Sequence, residues 1–222
     1  MTDAHVSRVA SQRIADELAG KILAGAIPPG MRMKQEDIAE EFRASRIPVR
    51  EALRMLEARG LVQLKANTGA WVSEMNAHDL SMTYRIREQI EPLLLSDSMA
   101  RLSQSDIDEM HAVQEEIEAG PDVESFLRLD RRFHWLSYRA HVSPYLATMV
   151  ERLWDTTQMY RRTFTVLTGQ ERVWLIRAEH RLLLDAISRR DEVIAGDLLQ
   201  VHIRRTRLEL ERHPEIFTRV EG

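Results

Sequence analysis

"ASRIPVREALRMLEARGL" (Ala44–Leu61), running directly into "VQLKANTGAWV" (62–72), is the stretch on which the fold turns. Ser45 stands where a helix N-cap belongs, and Pro48 falls in the first turn, where a missing N–H costs little. Gly60 supplies the stop. Between them Val49, Ala52, Leu53 and Leu56 share one side of a helix. Arg46, Arg50 and Arg54 recur every four residues and form a basic stripe on the opposite side. Beyond Gly60, Val62/Leu64 and Ala70/Val72 alternate as two short strands around the turn Asn67-Thr68-Gly69.

Two helices precede this block. Over 7–24, Val9, Ile14, Leu18, Ile22 and Leu23 keep roughly helical spacing, Gly25 is a stop, and Pro28-Pro29-Gly30 forces a turn. A short helix follows at 35–42, with Ile38, Ala39 and Phe42 on one side. Three helices and a hairpin in this order predict a winged helix-turn-helix. A cationic stripe on its third helix suits a DNA major groove, where arginine pairs with guanine O6/N7 or neutralises phosphate. Lys65, on the wing, is placed to hold an adjacent phosphate.

After a polar junction near Ser73–His78 the pattern is helical throughout. Segments are predicted at 79–102, 104–119, 122–141, 144–167, 171–189 and 191–213, broken at Ser103, Gly120-Pro121, Ser143-Pro144, Gly169 and Arg189-Arg190-Asp191. The expected fold class is therefore mostly α: a winged helix-turn-helix domain over 1–76, then an all-α bundle over 77–222.

Composition sets bounds on function. The 222 residues include no cysteine, which excludes disulfides and thiolate chemistry. The net charge of −4 hides an asymmetry: residues 1–76 carry 11 Lys+Arg against 10 Asp+Glu, and the remainder carries 20 against 25. The front third is the part suited to phosphate. No apolar run approaches the ~20 residues of a membrane span, and the N-terminus lacks the apolar segment of a secretory signal. A cytoplasmic location is expected.

In the bundle, "RLDRRFHW" (Arg128–Trp135) sets Asp130 and His134 one helical turn apart, on the side shared by Val123, Phe126, Leu127, Phe133 and Ser137. His180 follows the stripe Val173, Ile176, Leu183, Leu184, Ile187, and His202 the stripe Ala195, Leu198, Leu199, Thr206. An acid and three imidazoles, each on a face predicted to point inward, would cost several kcal/mol if buried unpaired. A shared divalent metal resolves that cost. Three neutral histidines and one carboxylate suit Zn²⁺, Ni²⁺ or another borderline ion, leave a residual charge of about +1, and allow water or an anionic ligand in any open position. On the first bundle helix Arg87 shares a stripe with Tyr84, Glu91 and Leu94, which places it in a buried role or in a salt bridge to Glu91. Met82, Met99, Met110, Met149 and Met159 are expected in the core.

The continuous run "ILAGAIPPGMRMKQEDIAEEFRASRIPVREALRMLEARGLVQLKANTGAWV" (22–72) resembles the N-terminal domain of GntR-family bacterial transcription regulators. The block from Ser45 to Leu53 is the most specific part of the match. The resemblance implies that Arg46 and Arg50 contact DNA and that Gly69 lets the wing backbone approach the minor groove. Arg43-Ala44 departs from the "Gly-Val" common at the turn before the recognition helix, and Glu36 stands where some relatives carry a DNA-contacting arginine. Residues 79–213 resemble the FCD effector domain of the FadR branch, through "YRIREQIEP", "DRRFH", "EHRLLLDAI" and "LLQVHIRRT". A bundle of about six helices is similar to that of the VanR-like subgroup. In metal-containing members the acid and histidines at these motif positions ligate the ion, which implies Asp130, His134, His180 and His202 as ligands. The arginine of the first bundle helix points toward the effector, which implies Arg87, with Tyr84 beside it.

The function expected is that of a DNA-binding regulator, not an enzyme, whose operator affinity is modulated by a small organic acid in a metal-containing pocket. One recognition helix reads too few base pairs for useful specificity, so a homodimer on a palindromic double-stranded operator is expected. A metal-dependent hydrolase, a direct metal sensor and a purely structural metal are the competing readings of the same four residues.

Overall fold

A computed structural model describes residues 2–66, 69–168 and 173–217. Asn67, Thr68, Gly169 and the start of the segment predicted at 171 lie outside the described residues. Contacts divide the chain into two compact units, Met1–Met75 with Glu151–Met159, and Asn76–Val150 with Tyr160–Gly222.

In the first unit, α1 (Thr2–Leu23), α2 (Gln35–Glu41) and α3 (Arg46–Ala58) are joined by a three-stranded antiparallel sheet of order β1-β3-β2. The hairpin strands β2 (Val62–Lys65) and β3 (Gly69–Val72) pair Val62 with Val72 and Leu64 with Ala70, so alternate side chains face the core. The sequence pattern missed β1 (Arg32–Met33), because two residues are too few to show a period. The core is built from Ile14, Leu18, Ile22, Phe42, Val49, Leu53, Leu56 and Val72. Val9, predicted on the same stripe, is 57% exposed: the buried stripe of α1 runs through Ile14, Ala15, Leu18, Ala19 and Ile22 instead.

Two tight helix ends fix the entry and exit of α3. Gly60 has φ +77°, and Leu61 N–H reaches the Leu56 carbonyl while Gly60 N–H reaches that of Glu57, closing the helix in a left-handed cap. The same bond pattern ends α2, where Ala44 N–H reaches the Ala39 carbonyl and Arg43 N–H that of Glu40. The left-handed residue there is Arg43, at φ +48°. The left-handed turn thus forms with Arg43-Ala44, under local strain.

The second unit contains α4 (Ala77–Met99), α5 (Gln104–Glu118), α6 (Val123–Tyr138), part of α7 (Pro144–Thr168), α8 (Val173–Ser188), α9 (Glu192–Glu211) and a short 3₁₀ turn, Pro214–Phe217. Boundaries lie where the capping chemistry dictates. Ser103 and Asp106 form a reciprocal capping box at α5, and Asp122 and Asp191 accept from Ser125 and Ile194 N–H at α6 and α9. α4 lies along α9, and α5 packs on α6 and α8. Met99 and Met110 are buried here and Met159 in the first unit's core, whereas Met82 and Met149 are 45% and 42% exposed, against expectation.

Candidate functional site

On α3 the predicted division of faces is realised. Val49, Ala52, Leu53 and Leu56 are fully buried, and Arg46, Arg50 and Arg54 are exposed. Arg46 Nη2 lies 3.4 Å from Glu36 Oε1, and Arg54 Nη1 lies 3.0 Å from Glu51 Oε1, both at the surface, where such pairs hold weakly. Ser45 occupies the N-cap with extended backbone, but its side chain makes no capping hydrogen bond. Pro48 is buried with the core-facing residues and does not share the exposed face with the arginines. On the wing, the Lys65 ammonium and the Arg32 guanidinium sit 5.3 and 5.7 Å from the centre of the Trp71 ring. Gly69 begins β3 at φ +107°, a conformation that favours glycine. Arg32 was not anticipated, because the strand that carries it was not.

Inside the second unit, Asp130 and His134 on α6, His180 on α8 and His202 on α9 converge, all buried. Each offers one ligand atom, and these atoms lie within 4.8 Å of one another. The rings form a tight set, with the His134, His180 and His202 centroids 5.1–5.2 Å apart pairwise. Phe133 stacks on His180 at 4.3 Å and holds that ring in place.

Residues around the cluster orient it. His180 Nδ1 is 3.2 Å from Gln114 Oε1, and His202 Nδ1 is 2.8 Å from Glu179 Oε2, which leaves both Nε2 atoms for the cluster. Glu179 is held in turn by Arg205 at 2.7 Å. Burial, with the neighbouring His202, pushes His180 down to about 3; burial also lowers His134 well below its ordinary value. Both are therefore neutral at physiological pH, the state in which an imidazole nitrogen donates to a metal. Burial alone would raise the Asp130 carboxyl, but the Arg161 guanidinium and then the histidines hold it far below the usual carboxylate range.

Arg161, on α7, contacts the cluster and was missed in the sequence reading. It is 8% exposed and its Nη2 donates to Asp130 Oδ2 at 2.7 Å. Its phase carried the signal: it stands two turns beyond the buried Trp154, on the same side of the helix.

Arg87 and Tyr84 are both buried beside this region. Arg87 forms its ion pair with Glu91, which also accepts from the Tyr138 hydroxyl at 2.8 Å, and its guanidinium lies 4.8 Å from the Tyr84 ring. The salt bridge is thus present, and neither residue lines the open cleft. That cleft encloses about 530 Å³, part of it open solvent. It reaches the cluster through His202 and Arg161 and extends past Phe126, Phe164, Leu175 and Ile176.

Both halves of the chain match known families. Residues 10–72 match the bacterial regulatory proteins of the gntR family, and residues 82–205 match the FCD domain. The chain belongs to the GntR family, in the branch that joins its DNA-binding domain to an FCD domain, and is a DNA-binding transcriptional regulator of that type rather than an enzyme. It is 25% identical over 194 residues to the uncharacterized HTH-type transcriptional regulator YdhC of Bacillus subtilis (strain 168), covering 84% of each chain. It is 26% identical to the galactonate operon transcriptional repressor of Escherichia coli (strain K12), covering 82% of this chain and 88% of that one. The solved structure of E. coli McbR/YncC superposes with a TM-score of 0.79 over 92% of this chain and 98% of that chain; at 22% identity this likeness concerns the fold. No helix among the described residues is long and apolar enough to cross a membrane.

Proposed function

We propose that this regulator senses a small carboxylate in its helical unit, in a pocket floored by a divalent transition metal, zinc or nickel, and acts in the cytoplasm as a homodimer on a palindromic operator. The observation that carries the reading is the buried convergence of Asp130, His134, His180 and His202 at the end of an open cleft. The donor set fits a metal. Asp130 Oδ1 and His180 Nε2 face each other at 3.6 Å without a hydrogen bond, too far apart for one and suitably spaced for two ligands of one ion. The four residues would hold the ion, which supplies a Lewis-acid anchor for an anion. With one carboxylate among the ligands and Arg161 adjacent, the site would keep a formal charge of about +2, and that surplus favours an anionic effector. Similarity to a repressor named for a galactonate operon supports an organic acid as the class of signal.

On the DNA side, Arg46, Arg50 and Arg54 would enter the major groove, Ser45 and the α3 N-terminus would meet phosphate, and Lys65 and Gly69 would bring the wing to the backbone, with buried Pro48 holding the helix start. For the dimer, α4 exposes Met82, Ile86 and Leu93 on one stripe, and its neighbour α9 exposes Ile194, Val201 and Leu208 at seven-residue spacing. An apolar outer face of that length supports a second copy as the occupant. Carboxylate binding would then bias the bundle between arrangements that space the two DNA-binding domains differently.

The test is operator binding by zinc-loaded and metal-stripped protein on its own promoter region, titrated with carboxylates. Salt-sensitive, sequence-preferring binding that shifts with a carboxylate only when metal is present supports the proposal. Affinity that follows zinc alone, whatever acid is added, establishes a direct metal sensor in its place.

A further inference from the structure

We infer that the effector is a compact carboxylate with an apolar body, aryl or alkyl, and not a polyhydroxylated acid. This rests on the reading of the pocket given above and adds the chemistry of its second layer. On each of four helices the cleft places one residue a single turn from a member of the cluster or from Arg161 beside it: Phe126 from Asp130, Ile176 from His180, Thr206 from His202 and Thr165 from Arg161. Four residues of helix rise about 6 Å, so these side chains form a layer stacked on the charged one. A ligand anchored by its carboxylate beside His202 and Arg161 therefore places its body in that layer, against Phe126 and Ile176.

The layer offers little to a hydroxyl group. The Thr165 hydroxyl donates to the Arg161 carbonyl at 2.8 Å, and that of Thr206 to the His202 carbonyl at 3.2 Å, so each spends its proton on its own helix. The carboxylates on the cleft wall are committed as well, Glu179 to His202 and Arg205, and Glu209 to Arg212. The rest of the wall is Phe164 and Leu175, which are apolar, and Arg205, whose Nη1 is paired with Glu179. Against Phe126, Ile176, Phe164 and Leu175 a hydroxyl gives up water without an equivalent partner, whereas a methylene or an aromatic edge gains by leaving water. The charged layer selects for the carboxylate, and the second layer selects against a polyol tail.

Calorimetry on the zinc-loaded full chain tests this with benzoate and hexanoate against gluconate, and with benzamide and hexanamide as neutral controls. We expect at least one apolar acid to bind at least tenfold more tightly than gluconate, and its amide to lose at least tenfold. Ile176→Thr, at a half-buried position, should narrow the ratio between apolar acid and gluconate. Gluconate binding as tightly as, or more tightly than, the apolar acids overturns this inference and leaves the carboxylate reading standing. Amides that bind as well as the acids, or a complete failure of all the acids to bind, overturn the carboxylate reading and this inference with it.

Discussion

The recognition helix and the bundle interior both carry charged groups one turn apart, Arg46/Arg50/Arg54 in one and Asp130/His134 in the other. Water separates their behaviour. On α3 each arginine keeps its hydration and at most a loose surface partner, so it can exchange water and counterions for phosphate at little cost. In the bundle interior the charges of the cluster lie in a medium that penalises them, and Arg161, Gln114 and Glu179 supply partners for Asp130, His180 and His202. Charged side chains at one-turn spacing thus form an open, hydrated face in one place and a buried, preorganised cluster in the other.

The largest test of that contrast removes one charge from each region. Asp130→Ala strands the buried Arg161 guanidinium, and loss of a buried partner costs about 3–5 kcal/mol of stability. Arg50→Ala, at an exposed position, should stay within about 0.5 kcal/mol of the parent. Urea denaturation of both variants decides it. Equal losses would mean that the bundle is wet and that Asp130 is not the counterion of Arg161.

Zinc comes next. At a free concentration of 100 times its dissociation constant it should stabilise the chain by about 2.7 kcal/mol, measured as a rise in melting temperature that a chelator reverses. His180→Ala should abolish that rise, and Arg50→Ala should keep it. If His180→Ala retains the full rise, the ion binds elsewhere. On DNA the order reverses: Arg50→Ala should weaken promoter binding by about 1–3 kcal/mol and lower the salt slope, measured by anisotropy, while metal-free protein stays folded.

How much of this the sequence revealed follows from the same physics. The two faces of α3 were legible, because an amphipathic helix with charge on one side and Val49, Leu53 and Leu56 on the other announces both. The four cluster residues were legible because a polar residue in the apolar phase of a helix is anomalous. Arg161 was passed over because long basic side chains in helices are usually solvated, and Gln114 and Glu179 because a residue that orients another through its far side leaves no spacing signal. Exposure misled in the other direction at Val9, Met82 and Met149, since apolar side chains make up much of any protein surface.

The smallest expected effect tests the contrast within the backbone itself. Two arginines occupy left-handed positions at helix ends, Arg43 at φ +48° and Arg190 at φ +60°. Arg190 N–H and the following Asp191 N–H close α8 on the Ile187 and Ala186 carbonyls, as Arg43 and Ala44 close α2 on those of Glu40 and Ala39. The strain is therefore the same in kind. The side chains differ: the Arg190 guanidinium donates to the Met99 and Leu102 carbonyls, while that of Arg43 is exposed and makes no hydrogen bond or ion pair among the described residues. Arg43→Gly removes strain and loses nothing else, so it should stabilise the chain by about 1 kcal/mol, a rise of about 2–4 °C in melting temperature. Arg190→Gly removes the same strain but surrenders two hydrogen bonds, each worth about 0.5–1.5 kcal/mol, and should leave the chain no more stable than the parent. Should both glycine variants be stabilised equally, the Arg190 bonds contribute nothing, and the arginine at the end of α8 needs another explanation than the carbonyls it reaches.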